Sequence, residues 1–197
     1  MLKNLIFDFG NVVIQFNPYY MASCVTEDET ERQILAITVF NPASFELTDR
    51  GYVSLREHID MVLPEVPLTL HEKAERLLKE WYQYLPVTDG MENLLQDAKN
   101  KGYKLYLLSN INAHFSEHQS EVEILSLFDG IVLSGDIHFV KPEREIYEHL
   151  LSKYNLKADE CLFIDDRQVN IDGAEAVGIK GYLFDNAARL REFLKFN

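Results

Sequence analysis

The chain is expected to fold as an α/β protein, a Rossmann-like parallel sheet with an inserted α-helical cap. Three observations predict this. Five short runs of β-branched and aromatic residues are apolar almost throughout, as strands covered on both faces are. Helical patterns lie between them, and alternating strands and helices make parallel sheets. One long helical stretch separates the first run from the second.

The first run is Leu2 to Phe7, stopped by Asp8. The next strand pattern begins only at Tyr103, and a parallel crossover needs about a dozen residues, so something is inserted between. Two segments there, Ser54-Leu55-Arg56-Glu57 and Thr69-Leu70-His71-Glu72, fit the capping box, in which a hydroxyl and a carboxylate satisfy each other's backbone donors at a helix start. The second is expected to open a helix running through Trp81 and Tyr84. The cap is placed at 18–86, closed by Val87-Thr88-Asp89-Gly90, which leaves 1–17 and 87–197 as the core domain. In the core, Asp89 is expected to cap a helix over Met91 to Lys101 that Gly102 ends. Strands follow at Tyr103 to Leu108 and Gly130 to Leu133. Pro142 opens a helix carrying Ile146, Tyr147, Leu150 and Leu151 at helical spacing. The last strands, Cys161 to Ile164 and Gly181 to Phe184, flank a helix from Asn170 to Val177 stopped by Gly178.

Composition narrows the function. Of 197 residues, 47% are hydrophobic and 26% charged, which suits a folded domain and excludes disordered or fibrous classes. A net charge of −13 repels nucleic-acid phosphates and anionic lipid, and no basic stripe offsets it, so neither nucleic acid nor membrane is an expected partner. No window approaches the roughly 18 apolar residues of a membrane span. Cys24 and Cys161 are widely separated and share no ligand spacing, which points to reduced, packed thiols and a cytoplasmic location.

The polar residues gather where the strands stop: Asp8 after the first, Ser109-Asn110 after the second, Ser134 after the third with Lys141 soon after, and Asp165-Asp166 after the fourth. Ligands of open parallel sheets bind beyond these carboxyl ends. Singly, each residue has a plainer reading: a turn cap for Ser109, a surface charge for Lys141, a solvated loop for the acidic pair. Together, three converging carboxylates would repel one another and raise their own pKa values, so a cation is expected among them. Oxygen ligands without suitably spaced Cys or His favour Mg²⁺. Ser109 and Lys141 then offer the hydroxyl and the positive charge that a phosphoryl group needs.

At this point the sequence resembles the haloacid dehalogenase-like superfamily, through Phe7-Asp8-Phe9-Gly10-Asn11-Val12-Val13, Leu107-Leu108-Ser109-Asn110, Val140-Lys141-Pro142 and Phe163-Ile164-Asp165-Asp166-Arg167-Gln168-Val169-Asn170, in the family's order. The insert resembles the helical cap of the family's first subfamily, and the Asp-Phe-Gly-Asn-Val form is similar to the branch of sugar-1-phosphate phosphatases. The resemblance implies an Mg²⁺-dependent phosphatase acting on a small phosphorylated metabolite, foremost a sugar phosphate, through an aspartyl-phosphate on Asp8. It also implies that Asp8, the Gly10 carbonyl and Asp166, with Asp165, hold Mg²⁺. Ser109, Lys141 and the backbone N–H groups of Phe9, Gly10 and Asn110 are to hold the phosphoryl oxygens. Asn170, where many relatives carry an acid, is to orient Lys141 or a metal-bound water.

One departure matters. Phosphatases of this superfamily usually carry a second Asp two residues after the nucleophile, as general acid and base, and here that position is Gly10. Such help is worth about 10²–10⁴ in rate. The expectation is therefore that esters with good leaving groups, such as anomeric phosphates, are cleaved faster than unactivated alkyl phosphates. Three other readings weigh less. A haloacid dehalogenase needs no acidic pair like Asp165-Asp166, a phosphomutase needs the acid that Gly10 lacks, and a non-catalytic regulatory protein has no reason to keep Asp8, Ser109, Lys141 and Asp166 together. Within the cap, Arg50 is a candidate for contacting the distal end of the substrate and Phe45 for lining its pocket. Trp81, Tyr82 and Tyr84 are expected to pack between cap helices. His114 and His118 stand one helical turn apart without an identifiable third ligand.

Overall fold

The computed structural model describes residues 1–196. Five parallel strands, β1 (Asn4–Phe7), β2 (Lys104–Ser109), β3 (Gly130–Leu133), β4 (Cys161–Asp165) and β5 (Lys180–Leu183), form one sheet in the order β3-β2-β1-β4-β5. Period-2 alternation sends Leu5, Phe7, Leu107 and Ile164 into one apolar layer and Ile6, Tyr106, Leu108 and Phe163 into the other, so both faces are buried and the strands read as continuous hydrophobic runs. The order reverses between β1 and β4, which opens a crevice outside their carboxyl ends, where such sheets take ligands.

The long connection from β1 to β2 holds α1 (Pro18–Ser23), α2 (Glu29–Val39), α3 (Pro42–Asp49), α4 (Leu55–Val62) and α5 (His71–Glu80), then α6 (Met91–Asn100). Entry and exit of 18–86 lie side by side: Ile14 bridges Val87, the Gln15 N–H donates to the Pro86 carbonyl at 2.8 Å, and the Thr88 N–H donates to Val13 at 3.0 Å. Asn17, Asp28, Asn41 and Ser54 cap α1 to α4 through side-chain oxygens, and Ser54 with Glu57 forms the reciprocal box expected. The second box does not form. Residues 68–70 make a 3₁₀ turn that places Thr69 inside it, and α5 starts at His71 behind Leu70 with no side-chain cap. Asp89 does not cap α6 either, because Gly90, in the left-handed region at φ +76°, takes the N-cap position. Beyond β2 come α7 (Ala113–His118), α8 (Ser134–Ile137), α9 (Arg144–Lys153), α10 (Gln168–Glu175) and α11 (Ala187–Phe193). The helix expected to open at Pro142 starts two residues later, at Arg144. Among the described residues no helix is long and apolar enough to cross a membrane.

Candidate active site

Phe7 pairs with Leu107 on one side and Ile164 on the other, so the next residue, Asp8, emerges between Ser109 of β2 and Asp165 of β4. The Asp8 N–H extends the ladder to the Ile164 carbonyl at 2.8 Å. Lys141 arrives from the segment before α9 with its side chain 1% exposed. Its ammonium donates to Asp8 Oδ1 at 2.6 Å and to Asp165 Oδ2 at 2.7 Å. A buried lysine needs such partners. Asp165 also accepts from the Arg167 N–H at 2.9 Å and, on both oxygens, from the Asn170 amide at 3.0 Å. Asn170 therefore acts on Lys141 through Asp165 and not by touching it. The Tyr147 hydroxyl, donating to the Asn170 carbonyl at 2.8 Å, braces this layer from α9.

Burial dominates the electrostatics. It pushes the Asp8 carboxyl up to about 7 against the pull of Lys141, with Asp165 adding repulsion. Burial also works against the Lys141 charge, but Asp8 and Asp165 overcome it and hold the ammonium above its ordinary pKa. Asp166 is raised by burial and by Asp165, while a hydrogen bond from Asn11 draws it back. One lysine thus faces more carboxylate than it can neutralise, and oxygens of Asp8, Asp165 and Asp166 lie within 4.8 Å of one another. That donor set fits a hard divalent cation.

Several neighbours have duties the sequence does not announce. The Asn110 carboxamide donates to the Lys141 carbonyl at 3.0 Å and accepts from the Lys141 N–H at 2.7 Å, so it fixes the lysine's backbone. The Phe9 N–H donates to Asp8 Oδ1 at 2.6 Å. Asn11 takes φ +58°, a left-handed conformation that asparagine tolerates, and from there reaches Asp166. Ser134, expected to face the crevice, does not line it. Its hydroxyl accepts from the Ile111 N–H at 2.9 Å and donates to the Asp49 carbonyl at 2.5 Å, joining the loop after β2 to the insert.

Above Asp8 lies a cavity of about 680 Å³. Its floor holds Asp8, Gly10, Ser109, Asn110, Lys141 and Asp166; the insert contributes Phe40, Phe45, Asp49, Arg50 and Trp81. Arg50 lines the cavity, paired to Glu143 at 2.8 Å. Phe45 lines it too. Trp81 departs from expectation: it stacks on Phe115 at 5.4 Å between centroids yet also lines the cavity, beside Phe16. Asp49 was not expected at all. It closes α3, and burial raises its carboxyl to about 7, with Lys141 opposing and Asp8 adding to the shift. Gly51 follows at φ +67°, and a Cβ there would stand 2.1 Å from the Gly135 carbonyl oxygen. Gly51→Ala is expected to cost about 1–3 kcal/mol through left-handed strain and this clash, read as a fall in Tm of about 2–4 °C per kcal/mol for a chain of this size; an unchanged Tm would contradict the close packing of this turn.

Away from the crevice, Glu117 supplies the third metal-type atom near His114 and His118 that the sequence left unidentified. Both rings are already engaged, His114 Nε2 against the Lys79 carbonyl at 3.2 Å and His118 Nδ1 against Glu121 at 2.7 Å.

Comparison with known proteins agrees with this arrangement. The chain is 29% identical over 199 residues to the sesquiterpene phosphatase astK of Aspergillus oryzae, covering 96% of this chain and 94% of that one. It is 24% identical to the D-ribitol-5-phosphate phosphatase of Bacteroides thetaiotaomicron over 98% of this chain and 97% of that one. A solved Bacteroides thetaiotaomicron HAD family enzyme, in complex with magnesium and inorganic phosphate, shares the fold with a TM-score of 0.69 at 22% identity, covering 95% and 96% of the two chains. The model of the haloacid dehalogenase-like hydrolases matches residues 2–178. With the strand order, the four motifs and the carboxylate–lysine floor in place, the chain belongs to the haloacid dehalogenase-like hydrolases.

Proposed function

We propose that the protein is a phosphatase that hydrolyses a small phosphorylated metabolite through an aspartyl-phosphate on Asp8. The observation that carries this reading is the buried Lys141 ammonium shared by Asp8 and Asp165, with Ser109 at the adjacent strand end. Asp8 presents a carboxylate that attacks phosphorus, while Lys141 and the Ser109 hydroxyl bind the equatorial oxygens and hold them still. Asp8, the Gly10 carbonyl and Asp166 would hold Mg²⁺, with Asp165 beside them steadying Lys141. Bound there, the ion neutralises phosphoryl charge. The helices of 18–86 act as a cap that excludes bulk water during attack.

A sugar phosphate is the leading substrate class. The wall of Phe16, Phe40, Phe45 and Trp81 supports a second reading, a phosphate ester with an apolar carbon body. The same three cap aromatics, Phe40, Phe45 and Trp81, border a further cavity of about 530 Å³, room for a longer body. The test is p-nitrophenyl phosphate turnover with Mg²⁺ and with EDTA, followed by a panel of sugar and isoprenoid monophosphates, with chloroacetate alongside. Mg²⁺-dependent phosphate release is expected and no chloride release. Chloride release without ester hydrolysis would overturn the phosphatase reading.

A further inference from the structure

The crevice lacks an acid at Gly10, and not for want of space: a Cβ there would meet only Phe16 Cβ, at 3.7 Å. A proton must still reach the leaving oxygen and later leave the attacking water. Among the described residues the other carboxylates on the cavity are committed. Asp8 is bound to Lys141, and Asp166 stands with Asp8 and Asp165 in the oxygen cluster that would hold the cation. Glu143 pairs with Arg50 and accepts from the Val140 N–H at 3.1 Å, and Glu46 is exposed at 3.9 Å from Arg50.

Asp49 differs from all of these. Its carboxyl has no hydrogen-bond or ion-pair partner among the described residues, it lines the same cavity as Asp8, and it comes from the end of α3 in the insert. Its main chain is held firmly. Ser134 binds its carbonyl, and His138 Nδ1 sits 2.7 Å from the carbonyl oxygen of Arg50. A free carboxyl on a fixed turn in the nucleophile's own cavity is what proton transfer to a bound ester requires. Its raised pKa, already described, keeps both protonation states accessible near neutrality.

We infer that Asp49, delivered by the insert, is the general acid and base that the core lacks. This rests on the phosphatase reading above. In the first step Asp8 Oδ forms a bond to phosphorus, the ester P–O bond breaks, and the Asp49 proton passes to the departing oxygen, giving the free alcohol and an Asp49 carboxylate. In the second, the carboxylate takes a proton from water as its oxygen bonds to phosphorus. The P–O bond to Asp8 breaks, leaving inorganic phosphate, an Asp8 carboxylate and a protonated Asp49. The bias toward activated leaving groups expected from Gly10 is then a property of an Asp49 variant and not of the native chain.

The test compares benzyl phosphate, whose alkoxide needs a proton, with p-nitrophenyl phosphate, whose phenolate does not, in native protein, Asp49→Asn and Asp49→Ser. Both variants are expected to lose about 10²–10⁴ in kcat/KM for benzyl phosphate but only a few-fold in kcat/KM for p-nitrophenyl phosphate, whose kcat falls because the shared second step has lost its base. They should also release a burst of p-nitrophenol as phosphoenzyme accumulates before a slowed hydrolysis. Equal fractional losses in kcat/KM on both esters, or no loss in kcat/KM on benzyl phosphate, would overturn the assignment. If the native chain hydrolyses neither ester with Mg²⁺, the phosphatase reading fails and this inference with it; native turnover with unselective variants removes Asp49 alone.

Discussion

Asp8→Asn is expected to abolish turnover while raising thermal stability at pH 8. Removing a covalent nucleophile costs roughly 10⁴–10⁶ in kcat, and an amide oxygen does not attack phosphorus. The stability effect follows from the carboxyl's pKa, which rises from 3.8 in the unfolded chain to about 7 in the fold. As pH climbs through that window the unfolded chain has already released this proton and the folded one has not. The group therefore subtracts stability progressively from about pH 4 up to about pH 7, and the full penalty stands above. Asparagine has no such titration and keeps an oxygen for Lys141 and the Phe9 N–H. In metal-free buffer its Tm at pH 8 should exceed that of the native chain, by about 2–4 °C for each kcal/mol regained, and the difference should shrink toward pH 4. Adding Mg²⁺ should raise only the native Tm, because a ligand that binds the folded state stabilises it. Thermal melts at both pH values with and without Mg²⁺ check this. A variant less stable than the native chain at pH 8 in EDTA would contradict the charge imbalance described for the floor.

Lys141→Met is expected to damage both stability and chemistry. Methionine matches the stem but leaves Asp8 and Asp165 facing one another without a cation, and removing one partner of a buried pair costs about 3–5 kcal/mol. The sign of its pH dependence is fixed by the same reasoning. Without the lysine the Asp8 carboxyl loses the charge that pulls its folded pKa down, so destabilisation is greatest at alkaline pH and is relieved as acid protonates it. Urea midpoints at pH 5 and pH 8 should differ accordingly, and a loss that is equal at both would argue against the shared ion pair. Turnover should fall by about 10²–10³ or more, the scale of losing one preorganised charge on the transferring group.

Much of the fold was legible because its signals are local. Continuous apolarity marked all five strands to within two residues, and the polar residue after each of three strands stands in the crevice. Where sequence reading erred, a neighbour in space decided. Thr69 and Glu72 have the spacing of a capping box, but a 3₁₀ turn one residue too early took Thr69 out of position. Ser134 looked like its counterparts at other strand ends, yet the backbone groups of Ile111 and Asp49 claim its hydroxyl. Asp49 lay beside Arg50, which drew notice as a cation that could reach a substrate. A carboxylate in a helical insert carries no mark of the cavity it will line, because only tertiary packing brings the end of α3 to the crevice.

The Ser134 hydroxyl has a wider consequence. One atom is the acceptor for the segment carrying Ser109 and Asn110 and the donor to the segment carrying Asp49 and Arg50. Any displacement of α3 away from the sheet would break the Asp49 bond of this hydroxyl while its bond to the Ile111 N–H remained, so the position of the insert and that of the loop after β2 are set through a single atom.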